Sequence, residues 1–128
     1  MLYAMRRISL FISVALFCAA GLLAQDPELA AYQADMKAGA AANGALRKAV
    51  ADKDAAALAA NADKLADSMD KLAKFWAGKH NDAAQKFAET ARDAAKAVKG
   101  GDEASMAKIG PTCQGCHGIT RAGNDFKK

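Results

Sequence analysis

Three residues near the carboxyl end of the chain carry the clearest chemical signal in the sequence. Cys113 and Cys116 are separated by two residues, and His117 follows directly. Cysteines three positions apart on a helix lie on one face, so both thiols can bond to one group while the adjacent imidazole approaches it from one side. The spacing C-x-x-C-H is typical of covalent haem attachment. Each cysteine would form a thioether, and the histidine would bind the iron.

Other uses of a C-x-x-C pair are weighed against this one. A thioredoxin-like redox pair occurs near a βαβ pattern, and this chain shows no strand pattern. A structural zinc site needs four ligands, but the only other histidine is His80. A disulfide is compatible with an oxidising compartment. We expect one covalently attached haem c. A haem-free helical binding module with a Cys113/Cys116 redox pair is the alternative.

A second protein ligand to the iron would decide between electron transfer and binding of a small gas. Met106 lies about 16 Å from His117 along the same predicted helix, so it cannot reach the opposite haem face. Met36 lies about 15 Å into the first predicted helix, and antiparallel helices would bring it to the same end as His117. On the residues alone, packing is the simpler explanation of Met36, because methionine fills irregular gaps. Met69 is interpreted as core and His80 as solvated.

The composition indicates helices around a thin core. From Gln25 onward the chain has 29 alanines in 104 residues but only 17 large apolar side chains. Alanine favours helix, and two prolines in the whole chain fit an all-α fold. A core this small often needs a cofactor or a partner to complete it. We therefore expect a bound cofactor to form part of the core.

The first 24 residues have the pattern of a secretory signal peptide. Arg6 and Arg7 precede an apolar run from Ile8 through Leu23, and Ala24 is a small residue at the exit. The run of about 16 residues is short of the roughly 20 that span a bilayer. We expect export to a bacterial periplasm, with no membrane attachment once the signal is cleaved. Cys18 would leave with the signal.

Charge excludes one class of partner. The net charge of +4 comes from 18 Lys and Arg against 14 Asp and Glu, and loss of Arg6 and Arg7 lowers it to +2. Nucleic-acid binding needs a concentrated basic patch, and none is visible. No hydrolase or transferase motif is found either, so we expect no enzyme activity.

Four helical segments divide the remaining chain, residues 25–128, into one domain. The first begins at Asp26-Pro27 and runs to about Val50, and Asp52 or Asp54 caps the second. The third runs from about Asp82 to Lys99. The fourth begins near Asp102, and Pro111 should kink or split it. Short connections predict an antiparallel up-down-up-down four-helix bundle. The tail after Ala122 is expected to fray.

A C-x-x-C-H motif near the end of a four-helix chain resembles the class II c-type cytochromes, which comprise the cytochromes c′ and their low-spin relatives. The resemblance covers about Pro27 to Arg121. Cys113, Cys116 and His117 match the attachment motif, and Arg121 matches a basic residue that the family usually carries four positions after the histidine. Met36 falls where the low-spin members have their second iron ligand.

The resemblance implies a periplasmic monohaem cytochrome that transfers single electrons to and from redox partner proteins. Its haem c would be held by Cys113 and Cys116, with His117 as proximal and Met36 as distal ligand. The alternative is a five-coordinate cytochrome c′ that binds NO or CO. Family members often form homodimers. The sequence departs from the family at Tyr32, where arginine is usual, and at Thr120, where an aromatic residue is usual.

Overall fold

The computed structural model describes residues 26–122 and 125–126. The predicted signal peptide, residues 1–24, lies outside the described residues. The chain divides into two units, residues 1–30 and 31–128, and the contacts between helices given below lie within the second. The four helices are α1 (Pro27–Asp52), α2 (Ala55–Gly78), α3 (Asp82–Lys99) and α4 (Met106–Thr120). The predicted all-α class with four helices is confirmed.

Side-chain caps fix where the second and third helices begin. The Asp54 carboxylate accepts a hydrogen bond from the Ala57 amide at 2.9 Å, and the Asn81 side chain accepts one from the Ala84 amide at 3.0 Å. Each satisfies an amide that has no partner within its own helix. Asp54 is therefore the cap of α2, one of the two residues predicted for that role.

Neighbouring helices run antiparallel, as contacts between distant residues show. Tyr32 near the start of α1 packs on Phe75 near the end of α2, with ring centroids 4.4 Å apart. Asp63 of α2 bonds the last residue of α3, Lys99, at 2.7 Å. Phe87 in the first half of α3 lies against Gly115 in the second half of α4. Each contact joins the first half of one helix to the second half of its neighbour, which is the arrangement of antiparallel helices.

Small residues make up most of the core. The largest fully buried apolar side chains are Leu46, Leu65, Val98 and Ile109. Ten of the other buried residues are alanines, at positions 42, 49, 62, 66, 73, 84, 88, 91, 94 and 95. Alanine faces let helices approach closely, but each buries little apolar area, so the hydrophobic contribution per residue is small.

The fourth helix differs from the prediction in two ways. A short 3-10 turn, Glu103–Ser105, precedes it, so α4 begins at Met106 rather than near Asp102. Pro111 does not split it, and the helix continues to Thr120. The proline removes one backbone donor, that which would bond the Ala107 carbonyl. Both Ala107 and Pro111 are exposed, so water can satisfy that carbonyl.

The tail after α4 was expected to fray, but part of it forms a short antiparallel ladder. Arg121–Ala122 forms an antiparallel ladder with Asp125–Phe126, in which Arg121 is opposite Phe126 and Ala122 is opposite Asp125. The ladder is two residues long on each side. The backbone becomes extended at Arg121, where the fourth helix ends.

Replacing Asp54 by alanine is expected to lower the free energy of unfolding by about 1 kcal/mol, because the Ala57 amide loses its acceptor. Denaturation in urea, monitored by the helical circular dichroism signal, measures the change. Asp54→Asn is the matched control, since asparagine caps a helix about as well. Equal losses in the two variants would show that charge, rather than capping, is the contribution of Asp54.

Candidate functional site

A partly open cavity of about 190 Å³ lies among the helices of residues 31–128 and collects the side chains that the sequence singled out. Met36 contributes from α1, and Cys113, Cys116 and His117 contribute from α4. Met36 is thus brought to the same site as three residues that lie far from it in the chain. Its walls are otherwise almost entirely apolar, with side chains from all four helices.

The wall formed by α1 follows from helical spacing. Tyr32, Met36, Gly39, Ala40 and Asn43 line the cavity, and they recur every three or four residues on one face of the helix. A Cβ at Gly39 would lie 2.8 Å from the terminal methyl of Met69, so the flexible end of that side chain would have to move. The stripe of small residues after Met36 therefore serves close packing against α2 as well as the cavity.

His117 presents an unsatisfied nitrogen. Its Nε2 atom is buried and has no hydrogen-bond partner among the described residues. Burial, and to a lesser degree the positive charge of Arg121, lower the pKa of His117 below its ordinary value. The neutral imidazole is therefore favoured, with a lone pair available to a metal. Buried polar atoms without a partner are uncommon in folded proteins, so His117 Nε2 is a candidate to bind a ligand.

Cys113 and Cys116 carry free thiols in the same cavity wall. Burial raises the pKa of both, which outweighs the opposing effect of Arg47 on Cys113 and of the Thr120 hydroxyl on Cys116. Both cysteines are thus thiols at neutral pH. Both could form bonds to a group held in the cavity. Their buried, apolar setting makes them less reactive toward solutes in water.

Arg121 and His80 lie away from the cavity lining. Arg121 is the first residue after α4 and its side chain is exposed, although its charge acts on both Tyr32 and His117. His80 occupies a left-handed turn after α2, with φ of 55°, and is exposed. This agrees with the interpretation of His80 as solvated.

Four further side chains of the site come from α1, α2 and α3. Met69, interpreted as core, is buried at 7% exposure and also lines the cavity. Trp76 lines it too, and Phe87 reaches it from α3 over Gly115. Asn43 has a buried side-chain oxygen without a partner among the described residues. The sequence could have indicated this position, because Asn43 lies seven residues after Met36 and that spacing places both on one face of a helix.

The residues of the cavity fit a covalently bound haem. Two thiols three residues apart, a buried imidazole nitrogen without a partner among the described residues and the Met36 thioether of α1 all line the cavity, and they could attach the group and bind its iron. The walls are apolar, as a tetrapyrrole requires.

Comparison with known proteins does not name a family, since no protein-family model, curated protein or solved structure matches the chain. In the part of the chain that the structure describes, no cluster of three or more His, Cys, Asp or Glu residues could hold a metal ion. Over the same residues, no helix has the length and apolarity of a membrane span.

Proposed function

We propose that this protein is a monohaem c-type cytochrome of the class II kind, a carrier of single electrons. The observation that carries the proposal is the convergence of Cys113, Cys116 and the buried, unpartnered Nε2 of His117 on one apolar cavity. When bound, the haem supplies an iron that is reversibly oxidised and reduced by one electron.

The two cysteines would hold the cofactor permanently. Each thiol would add across one vinyl group: a sulfur–carbon bond forms, and the thiol hydrogen passes to the neighbouring carbon. No oxidant is consumed, because the hydrogen and the sulfur both end on the former double bond. A covalent link suits a small domain whose core, built largely from alanines, cannot enclose a large group tightly.

His117 and Met36 would be the two axial ligands. The neutral imidazole of His117 would donate from Nε2, and the Met36 thioether would approach from α1. A soft sulfur ligand favours the reduced iron and raises the reduction potential. Two protein ligands also keep the coordination unchanged during electron transfer, so the chain needs little rearrangement.

The proposed function includes export to the periplasm and exchange of electrons with redox partner proteins. The signal-like segment at residues 1–24 fits the periplasm, where bacterial c-type haem attachment takes place. Redox partner proteins would exchange electrons with the loaded protein at its surface.

An absorption spectrum of the exported protein tests the proposal. The chain is produced with its own leader in cells competent in haem attachment, and spectra are recorded oxidised, reduced, and reduced with CO. A low-spin spectrum that CO leaves unchanged is the expected result. A colourless protein contradicts the proposal, and a high-spin spectrum shifted by CO would replace it with the five-coordinate gas-binding alternative.

Replacing Met36 by alanine is expected to convert the low-spin spectrum to a high-spin, CO-binding one, because the sixth position would lose its protein ligand. Met69→Leu is the matched control. It removes the other thioether that lines the cavity and keeps a similar volume. A low-spin Met36→Ala protein together with a high-spin Met69→Leu protein would move the distal ligand to α2.

A further inference from the structure

The cavity opens to solvent between α1 and α4. Ala40 of α1 lines it and is exposed, while Met36, Cys113 and His117 line it and are partly exposed. The cavity residues that α2 contributes are all buried, namely Leu65, Met69, Leu72 and Trp76. We call the opening bordered by Met36, Ala40, Cys113 and His117 the mouth of the cavity.

A haem bound in the cavity would come closest to solvent at the mouth. The side chains that would hold it are all partly exposed, so the group between them is not wholly enclosed. Electron transfer between proteins weakens steeply with distance. A partner that exchanges electrons with the haem is therefore expected to bind over the mouth rather than on the outer surface of α2 or α3.

Positive charge borders the mouth along α1. Lys37 directly follows Met36, and Arg47 lies one helical turn beyond Asn43, which lines the cavity. Both cations are exposed, and neither forms an ion pair with any described residue. Arg47 also reaches across to α4, where a Cβ on Gly110 would stand 3.2 Å from its Nη2 atom.

A third cation lies at the other end of the mouth. Arg121 is exposed and follows α4 directly. Its charge acts on His117, and the charge of Arg47 acts on Cys113. Among the described residues, no acidic side chain contributes to the pKa shifts of Cys113, Cys116 or His117. The electrostatic environment of the attachment motif is therefore positive.

Acidic residues do not neutralise this charge from either wall of the mouth. Helix α4 contains none, and residues 31–51 of α1 contain only Asp35. Asp35 lies on a different face of α1, where it lines a groove with α2 and comes within 3.8 Å of the ammonium group of Lys71. A surface with cations and no acidic residue is complementary to a partner with an acidic face.

We propose that the mouth of the cavity is the docking surface for a redox partner protein with an acidic face. This inference rests on the proposed function. Opposite charges steer two proteins together and raise the rate of their association. Small interfaces are typical of weak redox complexes, so the partner could leave once one electron has passed. Lys37, Arg47 and Arg121 would attract and orient the partner and take no part in iron ligation.

The test uses a flavodoxin, an acidic flavoprotein, as the electron donor to the oxidised, haem-loaded protein. One electron leaves the reduced flavin and the iron passes from ferric to ferrous, which stopped-flow absorbance records. At about 10 mM ionic strength, where the Debye length is about 30 Å, Arg47→Glu should lower the second-order rate constant about five- to twentyfold. At about 1 M, where that length is about 3 Å, the variant and the wild type should react equally fast.

Lys64→Glu is the matched control, because it changes the net charge by the same two units. Lys64 is exposed on α2 and lines the groove that contains Asp35, away from the mouth. This substitution should lower the rate constant less than about twofold. A shift of the reduction potential would change the rate of Arg47→Glu at every salt concentration. The salt dependence therefore separates docking from an effect on the iron.

Nuclear magnetic resonance locates the docking surface without measuring electron transfer. Isotope-labelled, reduced protein is titrated with oxidised flavodoxin at low salt. The backbone amides of Ala40, Gly44 and Gln114, which are exposed on the two helices that border the mouth, should change chemical shift. Those of Lys86 and Thr90, which are exposed on α3, should not.

The inference is overturned if removing salt does not accelerate the wild-type reaction, as would happen if carboxylates of the haem itself neutralised the cations. It is also overturned if Arg47→Glu and Lys64→Glu lower the rate equally, or if the shifted amides lie away from the mouth. If Arg47→Glu does not load with haem, an unchanged rate for Lys37→Glu overturns it. A wild-type protein without a haem spectrum overturns the proposed function, whereas a loaded protein without salt dependence overturns this inference alone.

Discussion

Replacing Leu46 by alanine is expected to lower the free energy of unfolding by about 2–5 kcal/mol. Leu46 is completely buried on α1, in a core in which more than half of the buried apolar residues are alanines. Short side chains cannot move far enough to fill the space that the substitution leaves, which puts the cost toward the upper end of that range. Small domains have a total stability of about 5–15 kcal/mol, so the loss is a large fraction of it.

Urea denaturation of the purified protein, followed by helical circular dichroism, measures this loss. Leu58→Ala on α2 is the control, since Leu58 is only partly buried and its truncation leaves a smaller cavity. Leu46 does not line the cavity, so the absorption spectrum of the folded variant should match the wild type. A loss below 1 kcal/mol would contradict the close packing of α1 described above.

Gly115→Ala is expected to lower the free energy of unfolding by about 1–3 kcal/mol, the usual cost of adding a methyl group to a filled space. A Cβ on Gly115 would lie 2.6 and 2.7 Å from two carbons of the Phe87 ring. The ring is stiff and has to move as a unit. Phe87 also lines the cavity, so its displacement should reduce the fraction of protein that carries haem, measured by absorbance per protein.

Gly118→Ala makes a closely matched control on the same helix. A Cβ there would meet nothing within 4 Å, so the substitution should stabilise α4 by up to about 1 kcal/mol through helix propensity alone. If Gly115→Ala lowers the free energy of unfolding and Gly118→Ala raises it, the difference is due to the contact with Phe87. Similar gains in both would show that Phe87 does not pack on Gly115.

Helical periodicity and caps predicted the fold because they act locally. The second helix begins after Asp54, one of the two predicted caps, and the third spans Asp82–Lys99 as predicted. Of the kink or split predicted at Pro111, the split did not occur, because the penalty for a missing donor depends on whether water reaches the freed carbonyl. Exposure of that kind depends on tertiary packing, which local sequence does not encode.

The C-x-x-C-H motif was recognisable because the chemistry proposed for it requires a fixed spacing. Met36 was a candidate from its place along the first helix, and the resemblance favoured it as a ligand rather than a packing residue. Phe87 and Asn43 were not assigned to the site. Each is set in the cavity wall by the rotation of its helix, and an alanine-rich helix offers several faces of similar hydrophobicity. Their contribution could be seen only once the helices were packed.

Trp76 gives the protein a built-in optical reporter. It is the single tryptophan of the chain, and its indole is 7% exposed in the wall of the cavity. All tryptophan fluorescence therefore originates at this site. A chromophore seated against the indole would quench that emission by energy transfer, whereas the empty chain would emit at the short wavelengths of an apolar setting. The emission of a sample, divided by that of the same amount of empty chain, would give the fraction without a bound chromophore. The loaded and empty forms would not have to be separated.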